Sequence, residues 1–530
     1  MTPHRSTRFA RPLHHRLGCA LLAIGLGWGA AAPLQAQGTP PARVRLPALG
    51  ESASDEFNLN QEKRIGEQIM REIRRDPDYL DDPQLLEYVQ ALWAPLVRTA
   101  RSVGDINADT ERLFPYETFL VRDRSINAFA LPGGYVYVTR GIMAYMESEA
   151  DLAGVMGHEI GHVTARHGAQ RATREQNAGL GVFAASVLGA VAEAYGVVGA
   201  GQLAGQVSQT VAAGFIASYS RDQELQADGL GAEYLSRTSY DPRNMVDVIT
   251  VLKNQERFAA DLAQAEGRPA PTKGDWLASH PSNDQRLQTI TQLAAQYKGN
   301  YNDEGRARYL KVITGMGFGD SAEQGLTRGR NFYHVPLGLA LTAPVGWQIQ
   351  NATDQLSVIN AAGDAALFVK VVPPKAGTNH ADIIRNVLKP TQGRTEVTSI
   401  NGLQATRFSG VRQNAQGKTQ ALEITLVTGP GTNTYLLQSS AKDAAALQRA
   451  RAQLREAEGS FRALTEQDRG AARPWAIRTV PYPKGGFAEL AKSSPIERPE
   501  QQLRLINGYY GGGEPKVGQL VKVIASVGAP

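Results

Sequence analysis

The five residues His158-Glu159-Ile160-Gly161-His162 constrain this chain more than any other part of it. On a helix, residues four apart share a face, so the two imidazoles converge on one point. Two neutral imidazole nitrogens at that spacing suit Zn²⁺, and the carboxylate of Glu159 beside them is placed to hold and deprotonate a water. The surrounding ESEADLAGVMGHEIGHVTARHG is therefore expected to be helical, with Ser148 and Asp151 as its N-terminal cap and Gly168 as its stop. A catalytic zinc takes a third protein ligand and keeps a fourth position open. The segment YSRDQELQADGLGAEYL offers it: Glu224 and Asp228 lie one helical turn apart on one face. Glu224 is expected to ligate and Asp228 to hydrogen-bond a ligand histidine from behind. His280, in WLASHPSNDQRL, directly precedes a proline and is expected at a turn. From there it would either stabilise the oxyanion of a tetrahedral intermediate or fill the open metal position in a resting state.

Composition separates this site from chance. The 530 residues carry 56 Lys+Arg against 51 Asp+Glu, nine histidines and one cysteine. Residues 1–36 begin with Arg5, Arg8, Arg11 and Arg16 and no acid, continue through an apolar Leu17 to Ala32, and end on Leu34-Gln35-Ala36. That is the pattern of a secretory signal peptide. Its removal would leave 52 basic against 51 acidic residues, no thiol, and six histidines at 158, 162, 167, 280, 334 and 380. Three of the six fall within ten residues, in an otherwise apolar, Gly-rich stretch. A thiol-free chain suits an exported compartment. The near-neutral balance and the lack of a basic-aromatic patch give no support to nucleic-acid binding.

Residues 37–56 read as a Pro- and Ser-bearing linker. From 57 to 300 the pattern is mainly helical, with one extended stretch, Ile126 to Leu131 and Tyr135 to Thr139 around Pro132-Gly133-Gly134, which reads as a hairpin. Short alternating runs over 325–466 indicate an α+β accessory domain, and a last unit spans 473–530. The expected fold class is multidomain α+β: a mainly helical zinc-peptidase domain with a small sheet beside its site, then a sheet domain, then a small βααβ unit.

Four ordered motifs, NAFALPGGYVYVTRG, HEIGHVTARH, SRDQELQADG and SHPSNDQRL, resemble the zinc metallopeptidase family that includes the CAAX prenyl peptidases, HtpX and BepA. The resemblance covers roughly residues 57–297. It implies His158, His162 and Glu224 as ligands of one Zn²⁺ and Glu159 as general base. It also implies Asp228 in support and His280 as the regulatory or transition-state histidine. Asn127, Ala128 and Phe129 match the family's strand beside the site, where a polypeptide substrate is expected to add as an extended strand. His167 is expected to pack at the end of the motif helix. The implied activity is endopeptidase action on unfolded or misassembled envelope proteins, or a scaffold or chaperone role with the site blocked by His280.

Membrane members of that family carry transmembrane helices. Here Gln176 to Ser220 has Glu193 as its only charge, but it is rich in Gly, Ala and Gln. Helices over the catalytic site are expected, with peripheral membrane or partner contact as the other reading. No helical repeat follows the peptidase part. LGLALTAPVGWQIQNATDQLSVIN loosely resembles small sheet domains of the PsbP type. Residues 473–530 resemble a divergent LysM module, a peptidoglycan-binding unit, with Gly486-Phe487 where an aspartate-threonine pair is usual.

Overall fold

The computed structural model describes residues 58–75, 82–177, 219–267, 280, 284–301, 303–352, 355–413, 419–431 and 433–528. The signal peptide and linker readings, and nearly all of the 176–220 stretch, lie outside the described residues.

Helix α1 (Leu59–Arg75) is one-sided: Glu62, Gly66, Ile69 and Ile73 are buried at helical spacing. Helix α2 (Pro83–Ser102) starts where Asp82 accepts a hydrogen bond from the Leu85 amide, with proline at its first position. After α3 (Ala108–Leu113) comes a strand that the sequence pattern did not reveal, β1 (Glu117–Val121). It pairs in parallel with β3 (Tyr135–Thr139), which pairs antiparallel with β2 (Ala128–Leu131). The order β1-β3-β2 leaves β2 at the edge. The β2–β3 turn needs left-handed backbone at two successive residues, Gly133 and Gly134 (φ 82° and 89°), which glycine adopts without steric cost.

After α4 (Arg140–Tyr145) comes the motif helix α5 (Glu149–Thr164), all of whose residues are buried. Ser148 caps it by accepting from the Asp151 amide at 3.1 Å. Its end differs from expectation. The helix stops at Thr164, Arg166 takes the left-handed conformation (φ 54°), and Gly168 lies inside the next helix, α6 (His167–Asn177). Helix α7 (Arg221–Arg237) packs directly on α5, and small residues permit the close approach. A Cβ on Gly161 would sit 3.0 Å from the Ala227 backbone, and one on Gly231 would sit 3.0 Å from the His158 amide nitrogen. Helices α8 (Asn244–Ala265) and α9 (Asp284–Ala294) pack around this pair.

The core continues past residue 300. Tyr309, Leu310 and Ile313 of α10 (Arg306–Ile313) join it, as do Ile477, Phe487, Leu503, Ile506, Val521 and Ile524 from the C-terminal unit. That unit runs strand, helix, helix, strand: Trp475–Pro481, Gly486–Ala491, Pro499–Ile506 and Leu520–Ser526. Its two strands pair antiparallel, and β4 (Gly317–Phe318) joins their sheet. Phe487, at the position where the LysM likeness departs from its pattern, is fully buried against Tyr482. Between these parts lies a seven-stranded antiparallel sheet over residues 348–441. Alternation sets its faces: Tyr435 and Leu437 pack toward the helix Ala444–Gly459, and Leu436 packs toward Ile383, Ile384 and Leu388. Among the described residues, no helix is long and apolar enough to cross a membrane.

Candidate metal centre

The crossing of α5 and α7 brings three donors together, and His280, ahead of α9, adds a fourth. One ligand atom each from His158, His162, Glu224 and His280 lies within 4.8 Å of all the others, and all four residues are buried. His158 Nε2 and His162 Nε2 are 3.0 Å apart, and they stand 3.6 and 3.5 Å from the two Glu224 oxygens. Zinc bonds of about 2.0–2.1 Å in a tetrahedron require donor separations of about 3.3–3.4 Å. Two imidazoles and a carboxylate at this spacing therefore fit the ion by both chemistry and size. His280 Nδ1 lies 3.0 Å from Glu224 Oε1 and 3.2 Å from His158 Nε2, within reach of the same point.

Each histidine is oriented from behind. His158 Nδ1 lies 2.9 Å from Asp228 Oδ1, so a protonated Nδ1 donates to the carboxylate and Nε2 keeps its lone pair for the centre. His162 does the same through a relay: its Nδ1 is 2.8 Å from His167 Nδ1, and His167 Nε2 is 2.9 Å from Gln226 Oε1. Burial lowers the His167 imidazole to about 4, so it stays neutral and accepts. Tyr219, just before the Ser220 cap of α7, stacks on His162 with ring centroids 3.9 Å apart.

Arg286 organises the carboxylates. It donates to Asp228 through Nε and Nη2 at 2.7 and 2.8 Å, and its Nη1 is 2.7 Å from Glu224 Oε2 and 3.3 Å from the His280 carbonyl oxygen. Burial pushes the Asp228 carboxyl up, but Arg286 and His158 outweigh burial and hold it well below the usual range. Glu224 keeps the opposite balance: burial takes it up to about 7, with Arg286 only partly offsetting. Glu159 is fully buried, and burial, reinforced by Glu224, raises it well above an ordinary glutamate. Its side chain sits by the Ala130 backbone of edge strand β2, and His280 Nε2 is 3.5 Å from Glu159 Oε1.

The structure thus gathers His158, Glu159, His162, Glu224, Asp228 and His280 in one place. Strand β2 lies beside them, approaching the site through Ala130 and Leu131, slightly further along than Asn127, Ala128 and Phe129. Phe129 instead stacks on Tyr137 with ring centroids 5.1 Å apart. Sequence reasoning missed Arg286 and Tyr219. Arg286 lies six residues after His280 within a motif read for its histidine alone, and a buried acidic pair such as Glu224 and Asp228 calls for a cation.

Residues 97–294 match the model of Peptidase family M48. This segment is similar to the M48 peptidases. The chain is 32% identical over 274 residues to a putative beta-barrel assembly-enhancing protease of Vibrio cholerae, covering 50% of each chain. It is 31% identical over 284 residues to the beta-barrel assembly-enhancing protease of Escherichia coli, covering 53% of this chain and 54% of the relative. It is 29% identical over 201 residues to the mitochondrial metalloendopeptidase OMA1 of Arabidopsis thaliana, covering 38% and 35%. The chain spans about half the length of the first two relatives. A solved cyanobacterial PsbP from Synechocystis matches 28% of this chain and 98% of its own at 13% identity, with a TM-score of 0.20, too low to carry an argument.

Proposed function

We propose that this protein is a zinc-dependent metalloendopeptidase of the bacterial cell envelope, hydrolysing peptide bonds in unfolded or misassembled proteins. The observation that carries the reading is the triangle of His158, His162 and Glu224 donors with the Glu159 carboxylate beside it, next to a strand edge. A zinc ion held by those three residues would polarise a carbonyl and acidify water. Glu159 takes the proton of the attacking water and delivers it to the leaving amine, a role that its raised proton affinity suits. The β2 edge aligns an extended substrate through backbone hydrogen bonds, and Asp228 and Arg286 keep His158 and Glu224 in register. Export is proposed from the signal-peptide pattern of residues 1–36, with the periplasm as its destination. Peptidoglycan contact through 473–530 and peripheral membrane contact through 176–220 remain part of the proposal on sequence grounds.

One observation favours a second reading, a chaperone or assembly scaffold with a latent site. His280 Nδ1 already sits among the donors, where it would take the position that substrate needs. Casein cleavage by the wild type, Glu159→Gln and His280→Ala separates the readings. An active wild type with an inert Glu159→Gln supports the peptidase. An inert wild type with an active His280→Ala supports latency. Inertness of all three with zinc bound rejects the peptidase.

A further inference from the structure

Two tryptophans that the zinc site does not use meet at one cleft. Trp347 belongs to the Gly-Trp turn that opens the middle domain, and Trp475 begins the strand Trp475–Pro481. Both are half-buried and line a cavity of about 710 Å³ where the peptidase part, the middle domain and the C-terminal unit come together. Arg330, Gln348, Glu497 and Gln502 supply polar groups to its wall. None of the zinc-site residues lines it. Its volume falls within the range of about 300–1,000 Å³ usual for small-molecule sites.

The walls are held in place. Arg328 lies 3.7 Å over the Trp475 ring and is itself fixed, donating to the Thr327 and Arg473 carbonyls at 2.8 and 2.6 Å. Gln502 Nε2 donates to the Glu497 carbonyl at 2.8 Å, which fixes the amide plane. Asp320 accepts from the Thr327 amide at 2.7 Å and pairs with Arg124.

The chemistry narrows the ligand. An indole offers a flat apolar face, and amide, carboxylate and guanidinium groups offer donors and acceptors around it. A ring with apolar faces and a rim of hydroxyls satisfies both. A phosphate-bearing ligand would meet the carboxylates of Glu266 and Glu497 as well as the guanidinium of Arg330, with Arg124 and Asp320 already paired to each other. Among the described residues, an apolar peptide would find only Ile349 and Ala361 as aliphatic surface. We propose that this cleft binds a neutral glycan, with a sugar ring stacked against the tryptophans and its hydroxyl or acetamido groups held by Arg330, Gln348, Glu497 and Gln502. The inference rests on and deepens the peptidoglycan contact proposed for 473–530, placing it at this cleft, and stands whether or not the zinc site cleaves peptides.

The test titrates the full-length protein carrying Glu159→Gln with chitotetraose and, separately, cellotetraose, followed by calorimetry and tryptophan emission. Saturable binding of at least one sugar is expected, with a change in emission. Binding of chitotetraose alone identifies an acetamido sugar, and binding of both identifies the pyranose ring itself. Trp347→Ala and Gln502→Ala, each with wild-type thermal unfolding, are expected to weaken binding at least ten-fold. The proposal is overturned if neither sugar binds saturably, or if binding is unchanged in both variants. It also fails if an unfolded casein peptide, rather than sugar, is the ligand that Trp347→Ala loses.

Discussion

At the residue scale, the most informative side chain is Asp228, which connects Arg286 to the outer nitrogen of His158. Asp228→Asn keeps the shape but loses the charge that anchors both. Zinc affinity is expected to fall about 10–100-fold, as for other outer-shell partners of metal histidines, and competition with a chelator measures it. Unfolding should also become easier by about 1–3 kcal/mol, because buried Arg286 keeps Glu224 but loses one charged acceptor. A second expectation concerns Asp151 in the first turn of α5. It accepts from the Asn244 side chain and the Glu147 amide at 2.8 and 3.0 Å, yet burial raises it from 3.8 to about 7. A carboxyl raised in the folded state binds its proton more tightly there than when unfolded. Its stabilising contribution is complete below pH 3.8, drains away as pH rises to about 7, and changes no further above that. Thermal unfolding from pH 4 to 8 should therefore show the wild type losing stability relative to Asp151→Asn across that window. Parallel profiles would show that Asp151 is ionised throughout. Legibility at this scale followed chemistry. His158, Glu159, His162, Glu224, Asp228 and His280 were readable because their spacing is itself a chemical statement. Arg286 and Tyr219 were not, because nothing local distinguishes a buried arginine from the common surface kind.

Among the elements, the contact of α5 with α7 decides whether the donors meet. Gly161 and Gly231 let the two backbones approach until a single methyl would collide with Ala227 or with the His158 amide. Gly161→Ala is expected to cost about 1–3 kcal/mol, as overpacking does in tight cores, and to weaken zinc binding by moving Glu224 away from the histidines. Isothermal denaturation together with a zinc titration would check it, and unchanged zinc affinity would show that the helices can yield without opening the site. The elements were legible where a strong local signal existed. Ser148 announced the start of α5, and Pro132-Gly133-Gly134 announced the hairpin. The end of α5 was misread because Arg166 takes a backbone conformation usually left to glycine, while Gly168 continues a helix. Strand β1 escaped because Glu117–Val121 is too short to show alternation, and its parallel pairing with β3 is a long-range event.

At the scale of the whole molecule, the C-terminal unit shares the peptidase core. Lys522 is fully buried, donates to the Ala144 and Met146 carbonyls at 3.0 and 2.7 Å, and pairs with Glu147 at 2.6 Å. Those acceptors sit immediately before the cap of α5, so a side chain from the last strand sets the footing of the motif helix. Lys522→Ala leaves buried acceptors unsatisfied and is expected to destabilise the protein by about 3–5 kcal/mol, lowering peptidase activity and zinc content together. Denaturant unfolding and metal analysis of the same preparation would test this. A variant that loses stability but keeps its zinc would show that the footing is independent. Sequence alone divided the chain at changes of pattern. It could not see that Ile477, Phe487 and Ile524 share a core with residues nearly four hundred positions earlier, because such contacts leave no local period.

The position of Lys522 also bears on when the protein becomes itself. A growing chain emerges from its N-terminus, so the histidine pair is made long before the lysine that secures the turn leading into it. The motif helix must wait for Lys522 before its setting is complete. The order of synthesis thus acts as a timer, keeping the centre unfinished until Lys522, 360 residues beyond His162, has been made.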